Sequence, residues 1–285
     1  MAALSVAACN VDYVRETFTP DGTNNASFVQ TVVSNTSIPA ATATYNIPIA
    51  RSDASSAQTF NLTSTLPAGV CPASVNFAAG EYETVVPLNL TGINVGTPCK
   101  GAITIADQAA YTRSSINVTL AKAYNWVSIG KGQFYDGLAL QPSDEDLGII
   151  ECEVLQAEGF DRWRLMEPFP KSQLIAAWGA SYVTYAPDSY IEFFVNDKGY
   201  IDFASRTIKT GLTYTSLGEN AYIYYLYPST YASSQAENDP QNTFVMDKVA
   251  QFYLAQTIQN TTSWFGFGAK YVSLPGGPDL NELLK

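Results

Sequence analysis

The fold class follows from residues 74–107, SVNFAAGEYETVVPLNLTGINVGTPCKGAITIAD, where apolar residues recur at every second position. Val86, Leu88 and Leu90, for example, are separated by single residues of another kind. A period of two places such side chains on one face of a β-strand. The pattern extends from residue 28 to residue 122 and predicts about seven strands, at the spacing of an immunoglobulin-like β-sandwich. The expected strands lie at Val29–Val33, Tyr45–Ile49, Phe60–Leu62, Val75–Phe77, Val86–Leu90, Ile103–Ile105 and Ile116–Leu120.

The chain changes character after residue 122, and we assign residues 123–285 to a second, β-rich domain. Aromatic residues become dense there and the apolar runs lengthen. Within NWVSIGKGQFYDGLAL, Gly130-Lys131-Gly132 predicts a turn between two strands. Asn196-Asp197-Lys198-Gly199 predicts a hairpin, because Asn, Asp and Gly accept the positive φ of a tight turn. Residues 249–259 fit a strand or a helix, and their β-branched and aromatic residues favour a strand.

The N-terminal run Leu4-Ser5-Val6-Ala7-Ala8-Cys9 resembles the end of a bacterial lipoprotein signal peptide. Small residues before the cysteine suit a signal peptidase, and the thiol is the group that receives the lipid. We expect residues 1–9 to be a signal remnant, with Cys9 lipidated, and residues 10–27 to form a tether. The alternative is a small apolar tail. No later stretch approaches the ~18–20 apolar residues of a spanning helix, so the lipid would anchor the chain in the outer membrane of the bacterial envelope.

Charge and composition exclude several classes of function. The net charge is -11 and the pI is near 4.4, so the surface repels phosphate backbones and nucleic acid is not an expected partner. The chain has no histidine, which removes Ser-His-Asp and Cys-His catalysis and most zinc sites. No cofactor and no metal is predicted.

Three cysteines remain if Cys9 is lipidated. Cys71 and Cys99 each precede a strand of the expected sandwich, whereas Cys152 lies in the other domain. In an oxidising compartment this arrangement predicts a disulfide between Cys71 and Cys99 and one free thiol at Cys152.

The segment 74–107, preceded by YNIPIARSDASSAQTFNLTSTLP at residues 45–67, resembles a Calx-beta or related immunoglobulin-like module. The resemblance covers residues 40–122 and implies a β-sandwich. Calx-beta modules bind calcium through clustered acids. Here the comparable loops hold only Glu81, Glu83 and Asp107, so a calcium site is not carried over.

A second resemblance spans most of the chain. The series Trp126-x-x-Ile-Gly-x-Gly-x-x-Tyr-Asp-Gly, then Glu153-Val154, then WRLMEPF at residues 163–169, is similar to a group of Bacteroidota-type surface lipoproteins. These pair an immunoglobulin-like module with a β-rich C-terminal region and have no assigned activity. The resemblance therefore implies an architecture and a location, and it transfers no functional residue.

Four tryptophans are candidate ligand-binding residues: Trp178, Trp126, Trp163 and Trp264. With Tyr135, Tyr182 and Tyr185, exposed rings of this kind form a platform for the C–H faces of sugars. The competing interpretation is that the rings fill a β core. Trp178 is the first choice, because its small neighbours predict an uncovered ring.

Acidic residues give weaker candidates. Asp144-Glu145-Asp146 offers oxygen ligands for calcium but lacks the alternate spacing of a dedicated loop, which favours a solvated loop. The pairs needed for glycoside hydrolysis can be drawn in many ways from Glu151, Glu153, Glu167, Asp188, Glu192 and Asp202, so their number alone predicts no active site.

The sequence thus predicts an all-β, lipid-anchored envelope protein that binds polysaccharide or host glycan without catalysis. The first alternative is a structural or adhesive surface subunit that binds other envelope proteins. The second is a carboxylate-dependent glycoside hydrolase.

Overall fold

The computed structural model describes residues 25–106, 113–259 and 261–285. Its regular structure is dominated by strands, and the all-β fold class is confirmed. Contacts divide the chain into two units between Tyr124 and Asn125, two residues after the expected domain boundary.

The described part of the N-terminal unit contains two β-sheets. Three strands form one sheet in the order β1-β3-β6, and five form the other in the order β2-β8-β7-β4-β5. The strands are β1 (Ala26–Phe28), β2 (Val32–Ile38), β3 (Thr44–Arg51), β4 (Gln58–Ser64), β5 (Ser74–Phe77), β6 (Glu83–Asn89), β7 (Cys99–Ile105) and β8 (Ser115–Lys122).

Both sheets contribute to one apolar core. Ile47 and Ile49 of β3 pack in the same cluster as Ile116, Val118 and Leu120 of β8. These alternating residues are almost fully buried, as the period of two predicts.

The expected strand at Val29–Val33 is wrong, because the chain changes sheets there. Strand β1 ends at Phe28 and pairs with β3, whereas β2 starts at Val32 and pairs in parallel with β8. An apolar run that crosses from one sheet to another looks continuous in the sequence. The expected tether also ends earlier than residue 27, since β1 begins at Ala26.

The C-terminal unit contains a ten-stranded antiparallel sheet in the order β13-β12-β11-β10-β9-β18-β17-β15-β14, with β16 paired to β17. Three short α-helices accompany it: α1 (Lys171–Trp178), α2 (Pro228–Tyr231) and α3 (Leu280–Leu283). The strands are β9 (Trp126–Asp136), β10 (Ile150–Ala157), β11 (Arg162–Met166), β12 (Tyr190–Val195), β13 (Ile201–Phe203), β14 (Thr207–Thr213), β15 (Tyr222–Leu226), β16 (Thr243–Met246), β17 (Val249–Ile258) and β18 (Trp264–Ser273).

This sheet curls so that its distant strands face each other across the core. The ring of Phe252 in β17 lies 4.9 Å from the rings of both Phe193 in β12 and Phe203 in β13. Trp163 in β11 lies 5.5 Å from Phe244 in β16. Aromatic side chains therefore fill the interior between the two ends of the sheet.

The predicted turn at Gly130-Lys131-Gly132 is wrong, because β9 runs straight through it. Gly130 has a φ of 110° and lies beside a register shift between β9 and β10, where Ile129 of β9 has no opposite residue. A Cβ on Gly132 would lie 2.5 Å from the carbonyl oxygen of Ser273. The glycines thus allow a bulge and a close strand approach, two other uses of glycine within a strand.

Two other predictions for this unit are confirmed. Asn196 and Tyr200 close the hairpin between β12 and β13. The backbone N–H of Asn196 donates to the backbone carbonyl of Tyr200, with an N···O distance of 2.9 Å. Residues 249–258 form strand β17 and not a helix.

Candidate functional site

The four candidate tryptophans occupy different environments. Trp163 is only 7% exposed and stacks on Phe193 in the core, so it supports the fold. Trp126 is partly buried and lies under the guanidinium of Arg164, 4.0 Å from it. They do not form one platform.

The expectation of an uncovered Trp178 ring is wrong. Trp178 is the last residue of α1, is partly buried, and donates its Nε1–H to the carbonyl of Leu138 at 2.8 Å. The rings of Tyr182, Tyr214 and Phe265 lie 5.7 to 6.4 Å from it. The small neighbours in the sequence predicted an uncovered ring, but Tyr214 and Phe265, which are distant in the sequence, pack against it.

Trp264 is the exposed tryptophan of the four, with 42% of its surface accessible. It begins β18, where the pairing with β17 shifts: Gln256 lies opposite Gly266, but Thr257 lies opposite Trp264. The skipped residue, Phe265, packs on Tyr214 at 5.4 Å. The bulge therefore separates two adjacent aromatic residues and leaves Trp264 at the surface.

Trp264 belongs to an aromatic group that we call the Trp264 platform, consisting of Tyr231, Tyr253, Trp264 and Phe267. Tyr231 stacks on Trp264 at 4.9 Å with an interplanar angle of 22°. Phe267 meets Trp264 edge-on at 5.5 Å and stacks on Tyr253 at 5.4 Å. Tyr231, Tyr253 and Phe267 are partly accessible, so the group presents aromatic surface to solvent.

Polar contacts fix the backbone beneath the platform. The fully buried Asn242 accepts the backbone N–H of Tyr253 at 2.8 Å and donates to its carbonyl at 3.1 Å. Asp239 accepts the backbone N–H of Ser229 in α2, the helix that carries Tyr231. Both contacts come from the end of the 3₁₀ helix Ser233–Gln241 and its next residue. The rings are thus held on rigid elements.

The sequence segments that carry the platform contain few charged residues. Residues 228–246 and 249–269, which carry all four rings, contain no lysine and no arginine. Their acids are Glu237 and Asp239, and Asp239 is buried. Hydroxyl and amide groups dominate, as in Thr262, Ser263 and Gln259, which are exposed.

Arg162 and Arg164 alternate along β11 and therefore share one face, where both form ion pairs. Glu192 accepts Arg162 Nε at 2.7 Å and Arg164 Nε at 2.8 Å. The Arg164 guanidinium also lies 4.4 Å from the centre of the Tyr190 ring. Trp126 therefore has a cationic partner within the protein.

The candidate catalytic acids have other partners. Glu151 pairs with Lys131 at 3.1 Å, and Asp202 pairs with Arg206. Asp188 and Glu192 line one surface cleft of about 350 Å³, but Glu192 is held by two arginines. This cleft therefore does not bring together two unpartnered acids.

The other candidate acids form no site either. Glu153 is exposed, Glu167 follows β11 with a φ of 48°, and Asp144-Glu145-Asp146 forms an exposed loop. Among the described residues, no group of three or more acids and cysteines has the geometry of a metal site.

A buried polar cluster was missed in the sequence. Asp136 of β9, Tyr225 of β15 and Lys270 of β18 are each at most 1% exposed. Lys270 Nζ lies 4.1 Å from the Tyr225 ring centre, and Asp136 is the residue opposite Lys270 in the sheet. Burial lowers the pKa of Lys270, which the Asp136 carboxylate opposes, and burial beside Asp136 raises the pKa of Tyr225. Lys270 alternates in step with Val272, which could have indicated its inward direction.

The predicted disulfide is not formed in the structure. Cys71, Cys99 and Cys152 are free thiols. The loop with Cys71 is attached to β6 of the three-stranded sheet, because Asn89 donates its N–H to Val70 at 2.8 Å, whereas Cys99 pairs with Leu120 in the five-stranded sheet. Cys9 and its predicted lipid lie outside the described residues.

Comparisons with known proteins give no family. No protein-family model and no curated protein matches this chain. In the described part of the chain, no helix has the length and apolarity needed to cross a membrane. The fold and the site therefore define the class: an all-β protein with an exposed aromatic platform in its C-terminal unit.

Proposed function

We propose that the chain binds a glycan without catalysis and that the Trp264 platform is its binding surface. The observation that carries this proposal is a stacked aromatic pair near exposed hydroxyl and amide side chains. It consists of the partly accessible Tyr231 at the end of α2 and the exposed Trp264 at the start of β18. Aromatic faces interact with the C–H faces of sugar rings, while hydroxyl and amide groups exchange hydrogen bonds with sugar hydroxyls.

We further propose that Cys9 anchors the chain to the outer membrane through its lipid, as the lipoprotein-like motif indicates. The resemblance to Bacteroidota-type surface lipoproteins and to a Calx-beta-like module supports this location. A platform in the C-terminal unit is compatible with an anchor at the other end of the chain.

The test measures affinity of the full chain for a panel of neutral and acidic polysaccharides by affinity electrophoresis. We expect Trp264→Ala to weaken binding about five-fold, which corresponds to ~1 kcal/mol for one stacked ring. Trp264→Phe retains a ring and should lose less. The matched control is Tyr82→Ala, which removes an exposed ring from the other unit and should leave affinity unchanged.

The outcomes separate the interpretations. Wild-type protein that binds no glycan in the panel would overturn the proposal. Equal affinities of wild type and Trp264→Ala would show that the binding surface lies elsewhere on the protein. The melting temperature of Trp264→Ala should stay close to that of wild type, because exposed substitutions rarely change stability by more than about 0.5 kcal/mol.

A structural or adhesive role is the second candidate, and strand β2 favours it. Among the described residues, β2 is an edge strand that pairs only with β8. It contains no charge and no proline, and Val32 is 57% exposed. Unprotected edges of this kind accept strands from other chains. Concentration-dependent oligomers that disappear in Ser34→Lys would support this role.

A further inference from the structure

A second aromatic pair lies on the same sheet face as the Trp264 platform. Tyr271 of β18 is opposite Tyr135 of β9, and the two rings stack at 6.3 Å with an interplanar angle of 26°. Both residues are partly accessible. The sequence-based candidates included Tyr135 but not Tyr271.

The strand register places both groups on one face. Phe267, Ala269 and Tyr271 alternate along β18, and the pairing with β17 has no shift between them. The intervening Lys270 points into the core. Tyr253, which stacks on Phe267, lies opposite Ala269. The outer face therefore carries aromatic groups at both ends of this segment, with the small side chain of Ala269 between them.

The spacing of the two groups exceeds the width of one sugar ring. Phe267 and Tyr271 are four residues apart, which is about 13 Å along an antiparallel strand. Trp264 and Tyr231 lie beyond Phe267 in the same direction. A ligand in contact with both groups must be a chain of several sugars.

Tyr135 is held in place before any ligand binds. Its hydroxyl donates to Gln141 Oε1 at 3.1 Å, and Gln141 Nε2 donates to the Ser143 carbonyl at 2.9 Å. A side chain that is already ordered loses little conformational entropy on binding, so a fixed ring is a better contact than a free one.

We propose that the outer face of β9, β18 and β17 binds an extended stretch of a neutral polysaccharide, with Tyr135 and Tyr271 as a second subsite. This inference rests on the proposed function of the Trp264 platform. The occupant is neutral because the platform segments contain no lysine or arginine to pair with a carboxylate or sulfate, and Lys270 is buried. Lys131, which shares the outer face of β9 with Tyr135, is already paired with Glu151. We define this surface as the aromatic strip: Tyr135, Tyr231, Tyr253, Trp264, Phe267 and Tyr271.

The experiment uses a neutral polysaccharide, such as xyloglucan, galactomannan or dextran, that binds the full chain, together with its oligosaccharides of increasing length. We expect affinity to rise with length until both subsites are filled. Tyr271→Ala should weaken binding of long oligosaccharides about five-fold and leave short ones unchanged, whereas Trp264→Ala should weaken both. Affinity should change little with salt, because no ion pair forms.

Two further variants keep the test decisive. Tyr271→Leu retains apolar bulk in the strand if Tyr271→Ala does not fold, and it should lose the same affinity because it has no planar ring. Tyr271→Phe keeps the ring and should retain affinity. Tyr82→Ala again serves as the control with an unaffected surface.

Each outcome has a separate meaning. If Trp264→Ala weakens binding but neither Tyr271→Ala nor Tyr271→Leu does, the second subsite is wrong and the proposed function stands. Equal affinity for short and long oligosaccharides also overturns the extended ligand. Tighter binding to acidic polysaccharides overturns its neutrality. If no polysaccharide binds, the proposed function and this inference both fail.

Discussion

Replacing Asp136 with asparagine tests whether the core of the C-terminal unit depends on a buried charge. Asp136 Oδ1 accepts the backbone N–H groups of Leu138 at 3.0 Å and Ala139 at 3.2 Å, and asparagine can retain both bonds. The substitution therefore removes a charge with little change of shape. It leaves the Lys270 ammonium, which is 1% exposed, without an opposite charge.

The expected loss is large for a single isosteric substitution. Lys270 Nζ retains only the Gly268 carbonyl at 3.3 Å and the ring of Tyr225. Asp136 contributes the opposite charge that acts on this buried ammonium, although the two groups form no direct ion pair. Leaving a buried charge uncompensated lowers the free energy of unfolding by about 3–5 kcal/mol. For a unit of this size, that loss lowers the melting temperature by roughly 6–20 °C.

Urea unfolding followed by tryptophan fluorescence measures this loss in the full chain. All four tryptophans lie in residues 125–285, so the signal reports the C-terminal unit alone. The control is Lys270→Met, combined with Asp136→Asn. The double variant should lose less stability than the sum of the single losses, because it contains no unpaired ammonium.

The pH dependence has a defined sign. Because burial lowers the pKa of Lys270 in the folded state, the unfolded chain holds its proton to higher pH, and this group makes stability rise with pH. Without the Asp136 charge the folded pKa of Lys270 falls further. The deficit of Asp136→Asn should therefore be largest where Lys270 is protonated and shrink as pH rises. Wild-type stability of Asp136→Asn, or a deficit that grows with pH, would refute this reasoning.

Four further predictions concern residues outside this cluster. Metabolic labelling with a fatty-acid analogue should mark the wild-type chain and not Cys9→Ser, and equal labelling would contradict the lipid anchor. Non-reducing peptide mapping should find Cys71 and Cys99 as free thiols, and a linked peptide would contradict the structure. Native Cys152 should react slowest with alkylating agents, since burial raises its pKa to about 12 and leaves little thiolate. Trp163→Ala should lower stability by about 3–5 kcal/mol because its ring is in the core, and a loss as small as that of Trp264→Ala would place it elsewhere.

The strands of this chain could be predicted because burial on one face imposes a period of two. Val86 and Leu88 are fully buried and their neighbours are not. The alternation of residue types therefore indicates which side of the strand faces the core. Proline lacks a ladder donor, which predicts an edge strand or a bulge at Pro48 and Pro87. Pro87 lies in β6, an edge strand of the three-stranded sheet, whereas Pro48 lies in the central strand β3, next to the last residue paired with β1. Local chemistry was sufficient in β6.

The errors occur where the meaning of a local pattern depends on a distant strand. Gly130 and Gly132 have the composition of a turn, but the close approach of Ser273 requires glycine within a strand. Val29–Val33 has the composition of one strand. In the structure, however, the residues before it pair with β3 in one sheet, and its last residues pair with β8 in the other. The alternatives differ in tertiary contacts, which short-range patterns do not contain.

In the candidate site, too, local sequence was insufficient: the exposure of Trp178 and Trp264 depends on residues distant in the sequence. Trp178 has small neighbours in the sequence, yet Phe265 covers it from a strand 87 residues later. This contact depends on the bulge in β18. At the bulge, the Phe265 ring packs against Trp178, whereas Trp264 remains exposed to solvent. Gly266, with a φ of 97°, carries the one local signal of this bulge, because an isolated glycine within an alternating run often marks an irregular strand. The irregular pairing at Phe265 and Gly266 thus determines which of the two tryptophans is exposed.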